Sequence, residues 1–270
     1  MAKRFGELFL ESWKEYKENF KFFILIMFLF IFIPSLFLYF FDIPWNADMM
    51  RLGNNPTFEA TMSVISNHLT SFILSSIIGI IVFLVSIFCY ASILYGVLNK
   101  KKLIDFKDSL FGGKKNFFRY VWFSIVVGVF LFGLSLLFII PGVIFGVFWC
   151  FSIFIFMTKE KKVIGSLKES YNIVRGKWWG TFGYIILVLL IYCLIGLGFS
   201  LVSGIINIIL NPLLLTIAMT GNYSSYYTSP IWYINDFVSL IFRFLSSVVT
   251  FPLFLLFMKN FYLDRKAGKK

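Results

Sequence analysis

The stretch 120-YVWFSIVVGVFLFGLSLLFIIPGVIFGVFWCFSIFIFMT-158 carries no charged residue, and its reading decides the fold class. About 20 consecutive apolar residues suffice to cross the hydrocarbon core of a bilayer as an α-helix, so this stretch is long enough for two spans. Pro141-Gly142 divides them, because proline lacks an amide hydrogen and glycine permits a tight reversal, and a hairpin turn is predicted there. Working outward, apolar runs predict six spans in all: Phe22 to Phe41, Leu69 to Leu98, Tyr120 to Ile140, Val143 to Thr158, Thr181 to Ile206 and Phe237 to Met258. A helix satisfies its own backbone, as the water-free bilayer core requires.

Composition agrees. Hydrophobic residues make up 59% of the chain and charged residues 14%, against about 25% charged in an ordinary soluble domain. The fold class read from this is all-α: a polytopic membrane protein forming a single membrane domain over residues 1–270. The first apolar run lacks a small-residue cleavage site, so it reads as a retained span rather than a signal peptide. Cys89, Cys150 and Cys193 all fall within apolar runs, where a thiol acts as a small hydrophobe, and neither a disulfide nor a metal is assigned to them.

The net charge of +12 is distributed unevenly. Five basic residues precede the first span, seven lie in Asn99 to Arg119, six in Lys159 to Gly180 and five from Lys259 onward. On the other side stands Arg51, with Asp42, Asp48, Glu59 and Asp236, while Arg243 lies inside the sixth span. The positive-inside rule therefore places both termini in the cytoplasm and the protein in the cell membrane. Because the basic residues stand beside spans, anionic membrane lipid is the expected counter-charge and nucleic acid is not an expected partner.

The segments before spans one, three and five share a pattern. Glu11-Ser12-Trp13 is followed by Lys17 and Phe20, Asp108-Ser109-Leu110 by Lys114 and Phe117, and Glu169-Ser170-Tyr171 by Arg175 and Trp178, the serine standing eight residues before the aromatic each time. Phe5, Phe9, Trp13 and Tyr16 share one helical face, as do Val163, Leu167, Tyr171 and Val174, which predicts amphipathic helices lying in the membrane interface with their aromatics in the acyl boundary. Residues 1–21 would hold the first of them. The unit of interfacial helix plus hairpin would then recur three times, over about 5–98, 103–158 and 163–258.

Within Ile140 to Phe182, Pro141-Gly142, Trp149, the helix start Gly165 to Ser170 and Arg175-Gly176-Lys177-Trp178-Trp179 resemble a family of uncharacterised prokaryotic six-helix membrane proteins. The same residues look like the membrane domain attached to some glycerophosphoryl diester phosphodiesterases. The resemblance covers about a sixth of the chain. It implies six helices and a membrane role, but in those fusions the chemistry resides in a separate soluble barrel, which this chain lacks, so no catalytic residue carries over.

Little else suggests chemistry. His68 is the sole histidine and has no HExxH partner, and Gly112-Gly113-Lys114-Lys115 lacks the spacing of a phosphate loop and reads as a helix end followed by lipid-facing lysines. Small residues every fourth position, Ser71, Ser75 and Gly79 in span two and Gly196, Ser200 and Gly204 in span five, read as helix-packing stripes, as does Gly142 with Gly146. Arg243 is the one ionisable side chain expected within a span, with Asp236 seven residues back on the same face as its partner or, alternatively, with its stem snorkelling to phosphates. The stretch Asn207 to Asn235 holds an apolar run from Pro212 to Ala218 and tyrosines from Tyr223 to Tyr233, and an interfacial helix is the expectation there.

The functional expectation is a non-catalytic membrane protein that binds anionic lipids or a membrane or cytoplasmic protein partner, without a cofactor. Its lipid-interface candidates are Trp13, Lys17, Lys114, Arg175, Lys177, Trp178 and Trp179. The alternative is a small-molecule transporter or channel, for which the repeat and the Arg243 and Asp236 pair speak. A membrane-embedded lipid enzyme ranks third, supported by the partner domain of similar proteins alone.

Overall fold

The structure, a computed structural model, describes residues 3–40, 52, 57–99, 103–137, 139–159, 161–210 and 231–268. Asp42, Asp48, Arg51 and the run from Pro212 to Ala218 lie outside the described residues, as does most of the tyrosine-rich stretch after it. Ten helices, and no strand, are found among the described residues. They are α1 (Phe5–Glu18), α2 (Phe20–Phe40), α3 (Phe58–Asn67), α4 (Leu69–Asn99), α5 (Phe106–Leu137), α6 (Ile139–Trp149), α7 (Ser152–Lys159), α8 (Val163–Val174), α9 (Trp178–Leu210) and α10 (Ile231–Ala267).

Six helical stretches are long and apolar enough to cross a membrane: Phe20–Phe40, Leu69–Asn99, Phe106–Leu136, Ile139–Thr158, Trp178–Leu210 and Tyr233–Ala267. They match the six predicted runs, except that Phe41 lies outside the described residues and Ile139 and Ile140, read as the end of the third run, open the fourth. Large apolar side chains on them, among them Ile80, Phe83, Phe132 and Leu201, are left uncovered by protein, which suits surfaces solvated by acyl chains rather than water. Several helices overrun the predicted spans, because Lys and Arg at their ends are good helix formers and extending a helix that is already wound costs little. At 1.5 Å per residue the 37 residues of α10 extend over roughly 55 Å, well beyond a hydrocarbon core of about 30 Å.

Three local expectations are corrected. Pro141 and Gly142 do not form the hairpin turn; α5 ends at Leu137, α6 starts at Ile139, and Pro141 occupies the first turn of α6, where its missing amide hydrogen costs nothing. Gly112 and Gly113 are not a helix end but lie inside α5. The middle amphipathic segment is likewise no separate helix, since α5 runs unbroken from Phe106 through the third span. Two further elements had no sequence prediction. One is α3, whose N-cap Thr57 accepts a hydrogen bond from the Ala60 amide at 3.2 Å, and the other is a π-helical turn at Phe28–Phe32 within α2.

The chain divides into two compact units: Met1–Ile26, Ile87–Cys193 and Val249–Lys270 form the first, and Met27–Ser86 with Leu194–Val248 the second. The first is densely packed. Its core joins Leu8 of α1, Val147 of α6, Phe151 of the turn before α7, Phe154 of α7, Val174 of α8 and Phe261 of α10. In the second, Phe32 packs on Phe244 at 4.8 Å between ring centres, Tyr39 donates to the Tyr233 carbonyl at 2.6 Å, and Asn207 donates to Ser239 Oγ at 3.1 Å.

Glycine enables close approach in the first unit, though not where the four-residue stripes suggested. A Cβ on Gly79, Gly146 or Gly204 would meet nothing within 4 Å, and one on Gly196 would only touch Ser246 Oγ, at 4.0 Å. A stripe of small residues permits contact without compelling it. The close approaches are instead at Gly96, against Ser109, and at Gly112 and Gly113, against Tyr95 and Ser92, so that α4 and α5 meet through glycines on both helices. Gly113→Ala would drive its methyl into Ser92, side chain and backbone together, and is expected to destabilise the fold by about 1–3 kcal/mol. Gly128→Ala, with open space around its Cβ, should leave stability unchanged or raised. Thermal unfolding of both variants in one detergent tests this; equal melting would show that α4 and α5 do not depend on the close contact.

Candidate functional site

The pattern serines Ser12, Ser109 and Ser170 are all buried, and each lies against a different helix. Ser12 donates to the Leu8 carbonyl at 2.7 Å and accepts from Asn260 Nδ2 of α10 at 3.0 Å. Ser109 donates to the Asp105 carbonyl at 2.6 Å and stands where a Cβ on Gly96 of α4 would fall. Ser170 donates to the Phe148 carbonyl at 2.7 Å and accepts the Phe151 amide at 3.2 Å, sitting in the gap between α6 and α7. The fourth span was predicted as one continuous helix, and the structure breaks it at this point.

α1 is latched to α10 by more than its serine. Lys259 Nζ lies 2.6 Å from Glu15 Oε2, with the two side chains 8% and 17% exposed, so the pair is largely desolvated. The Lys3 amide donates to Asp264 Oδ1 at 3.1 Å. Apolar contacts complete the latch: Phe5 packs on Phe257 at 5.1 Å and on Tyr184 at 5.6 Å, and Tyr16 stacks on Phe23 at 5.7 Å. Burial pushes the Tyr16 phenol up to about 12, so it stays neutral. At the end of α1, the buried Asn19 accepts the Ile104 amide at 2.8 Å and ties down the segment leading into α5. The apolar face of α1 is thus largely spent on protein, and so is that of α8, where Val163, Leu167, Ile173 and Val174 are buried. Neither latch residue was singled out from sequence; the signal available was an asparagine beside a lysine, Lys259-Asn260, at the end of an apolar run.

Between α8 and α9 the motif Arg175-Gly176-Lys177 forms a type II turn. The Lys177 amide donates to the Val174 carbonyl at 2.9 Å, Arg175 has φ −53° and ψ 130°, and Gly176 has φ +81°. Only glycine takes that left-handed position without strain, so the motif's glycine has a backbone reason. The turn leaves Arg175 and Lys177 exposed and delivers Trp178, which stacks on Phe182 at 5.0 Å and donates through Nε1 to the Ile144 carbonyl at 3.3 Å; Trp179 is 78% exposed. Trp13 stacks on Tyr16 at 5.5 Å, and Lys17 and Lys114 project outward from α1 and α5. The lipid-interface candidates therefore occupy three places rather than one: the start of the chain, α5 and the turn before α9.

Arg243 lies in the second unit and pairs with Asp236 at 3.2 Å, its Nε donating to the Ser239 carbonyl one turn back at 3.3 Å. His68 is the residue on which α3 ends and α4 begins.

The six long apolar helices define an integral, multi-pass membrane protein. The chain matches no family model, no curated protein and no solved structure. The resemblance drawn from sequence therefore rests on Ile140 to Phe182 alone.

Glu15 and Lys259 give a direct test of the latch. Replacing either one by Met strands a buried charge and is expected to cost about 3–5 kcal/mol, whereas replacing both should cost less than either single change. A double-mutant cycle on unfolding of the full chain measures this, and strictly additive losses would show that the two side chains are not coupled.

Proposed function

We propose that the chain is a non-catalytic protein of the cell membrane, with both termini in the cytoplasm, that binds anionic lipids or a partner protein through its basic face. The observation that carries this reading is the division of labour on α1, α5 and α8. The apolar faces of α1 and α8 pack largely on protein, as Ser109, Gly112 and Gly113 near the start of α5 do, while Lys14, Lys17, Lys107, Lys114, Lys168 and Arg175 stay exposed. Each such cation near a membrane surface is worth up to about 1 kcal/mol against acidic headgroups. The three serine contacts further support a unit used three times, each serine seated on the helix that closes the unit before it and the first seated on the last, Ser12 on α10. Transport is the second reading, favoured by the Arg243 and Asp236 pair, a charged couple on a helix long and apolar enough to span the bilayer.

In nanodiscs, the full chain is expected to enrich phosphatidylglycerol over phosphatidylcholine around itself, and the enrichment should fall as salt rises, because exposed charges are screened. Equal retention of both lipids at low salt would sink the lipid reading, and turnover of a substrate by the pure protein would sink the non-catalytic one. For topology, single cysteines placed at the exposed positions Lys107 and Lys168 in a cysteine-free chain should resist impermeant labelling of intact cells while one at Ser66 is labelled. The reverse pattern would invert the orientation.

A further inference from the structure

Two open grooves flank α6, beside a third between α6, α9 and α10 that is about 500 Å³ in volume and lined by no charged residue. One, of about 530 Å³, lies over Ile140, Val143, Ile144, Phe148, Trp178 and Trp179 and has no charged residue in its lining. The other, of about 490 Å³, is walled by Phe130 of α5, by Phe145 and Trp149 of α6, and by Lys168 and Tyr171 of α8 with Arg175 at its C-cap. At about 100° per residue, Phe145 and Trp149 point to the opposite side of α6 from Ile140, Val143 and Ile144. Only the second groove joins an apolar floor to a charged edge.

That floor is aromatic: Trp149 packs 5.1 Å from Phe145 and 6.3 Å from Phe130. Lys168 and Tyr171 share one face of α8 and Arg175 follows at its C-cap, with both cations exposed. The charge on this edge is not compensated from within. Glu169, the carboxylate next to Lys168, is engaged by Lys161 at 2.6 Å, and among the described residues neither Lys168 nor Arg175 forms an ion pair. The volume lies within the roughly 300–1,000 Å³ usual for bound small molecules.

We infer that this groove holds one acyl chain of an anionic phospholipid, with the lipid phosphate on Lys168 and Arg175. The assignment rests on the lipid-binding reading above and gives it a location. A free anion would use the cations but leave the aromatic floor wet. An acidic peptide would bring backbone amides and carbonyls against ring carbons that offer them no hydrogen bonds. An acyl chain has no polar group to satisfy, and its headgroup supplies the charge that the edge lacks. Lys168 on α8 and Arg175 just past its end bracket Tyr171, whose amphipathic ring suits the boundary between chain and headgroup. The first groove, apolar throughout, has no means of selecting a headgroup.

Trp149 makes the site observable. In nanodiscs of phosphatidylcholine carrying a minor fraction of phosphatidylglycerol with brominated acyl chains, tryptophan quenching of the full chain should exceed that given by brominated phosphatidylcholine at the same fraction. The excess should disappear in the Lys168→Gln/Arg175→Gln variant and in Trp149→Phe, and persist in Lys114→Gln/Lys115→Gln. Both charged positions are exposed, so the first variant should fold, and an unchanged melting temperature checks that it does. Excess quenching retained in full by Lys168→Gln/Arg175→Gln would overturn the groove while leaving lipid binding elsewhere on the basic face intact. No excess in the parent chain would overturn both.

Discussion

Two hydroxyls make the interruption of the fourth span tolerable, Ser152 donating to the Trp149 carbonyl and Ser170 reaching in from another helix. Within a bilayer a backbone carbonyl or amide without a partner costs several kcal/mol, so a helix cannot simply stop and restart there. Between α6 and α7 the Phe148 carbonyl and the Phe151 amide lose their place in the helical ladder, and Ser170 serves both, donating to one and accepting from the other. The break then turns Phe151 and Phe154 into the core, where they meet Phe261 and Tyr262 of α10. α10 in turn receives α1 through Lys259 and Asn260. The packing of that unit is thus built outward from a serine that belongs to none of the helices it repairs.

This arrangement changes what amphipathic character means in α1 and α8. Sequence periodicity marks an apolar face and a charged face without naming what covers the apolar one, and lipid and protein satisfy it equally well. Here Leu8, Tyr16, Leu167 and Ile173 face protein. What these helices leave exposed is mainly charge: acidic and basic side chains together on α1, where Glu7 and Glu18 stand beside Lys14 and Lys17, and Lys168 on α8. Docking against protein also fixes where those charges stand, which a helix floating in the interface could not do.

The membrane class was legible in the sequence because its signal is long and redundant: six apolar runs each carry the same information, and no single substitution erases it. The local features were less legible for identifiable reasons. Pro141 satisfies a hairpin turn and a first helical turn alike, and choosing between them depends on where α5 ends. Gly112-Gly113 resembles a helix end until the neighbour that needs the space, Ser92 and Tyr95 of α4, is known. Glu15 and Lys259 each look like ordinary charges beside a span, and their pairing depends on a meeting of distant segments that one sequence does not announce. The Arg243 and Asp236 couple was readable because both residues lie on one helix, seven apart, where periodicity alone places them together.

The latch between α1 and α10 also sets an order of events. Glu15 and Lys259 are separated by 244 positions, and Ser12 and Asn260 by 248. A chain made from its amino end completes α1 long before its counterpart exists, and at about 5–20 residues per second the interval is on the order of 10 to 50 seconds. Throughout that time Phe23 and later Tyr184 can cover part of α1, but the side that meets α10 has no protein against it, and the bilayer surface or a chaperone is the cover available there. The nascent protein would therefore hold α1 in a different environment from the finished one, and a ribosome stalled before Lys259 would leave that first helix waiting for a partner that never arrives.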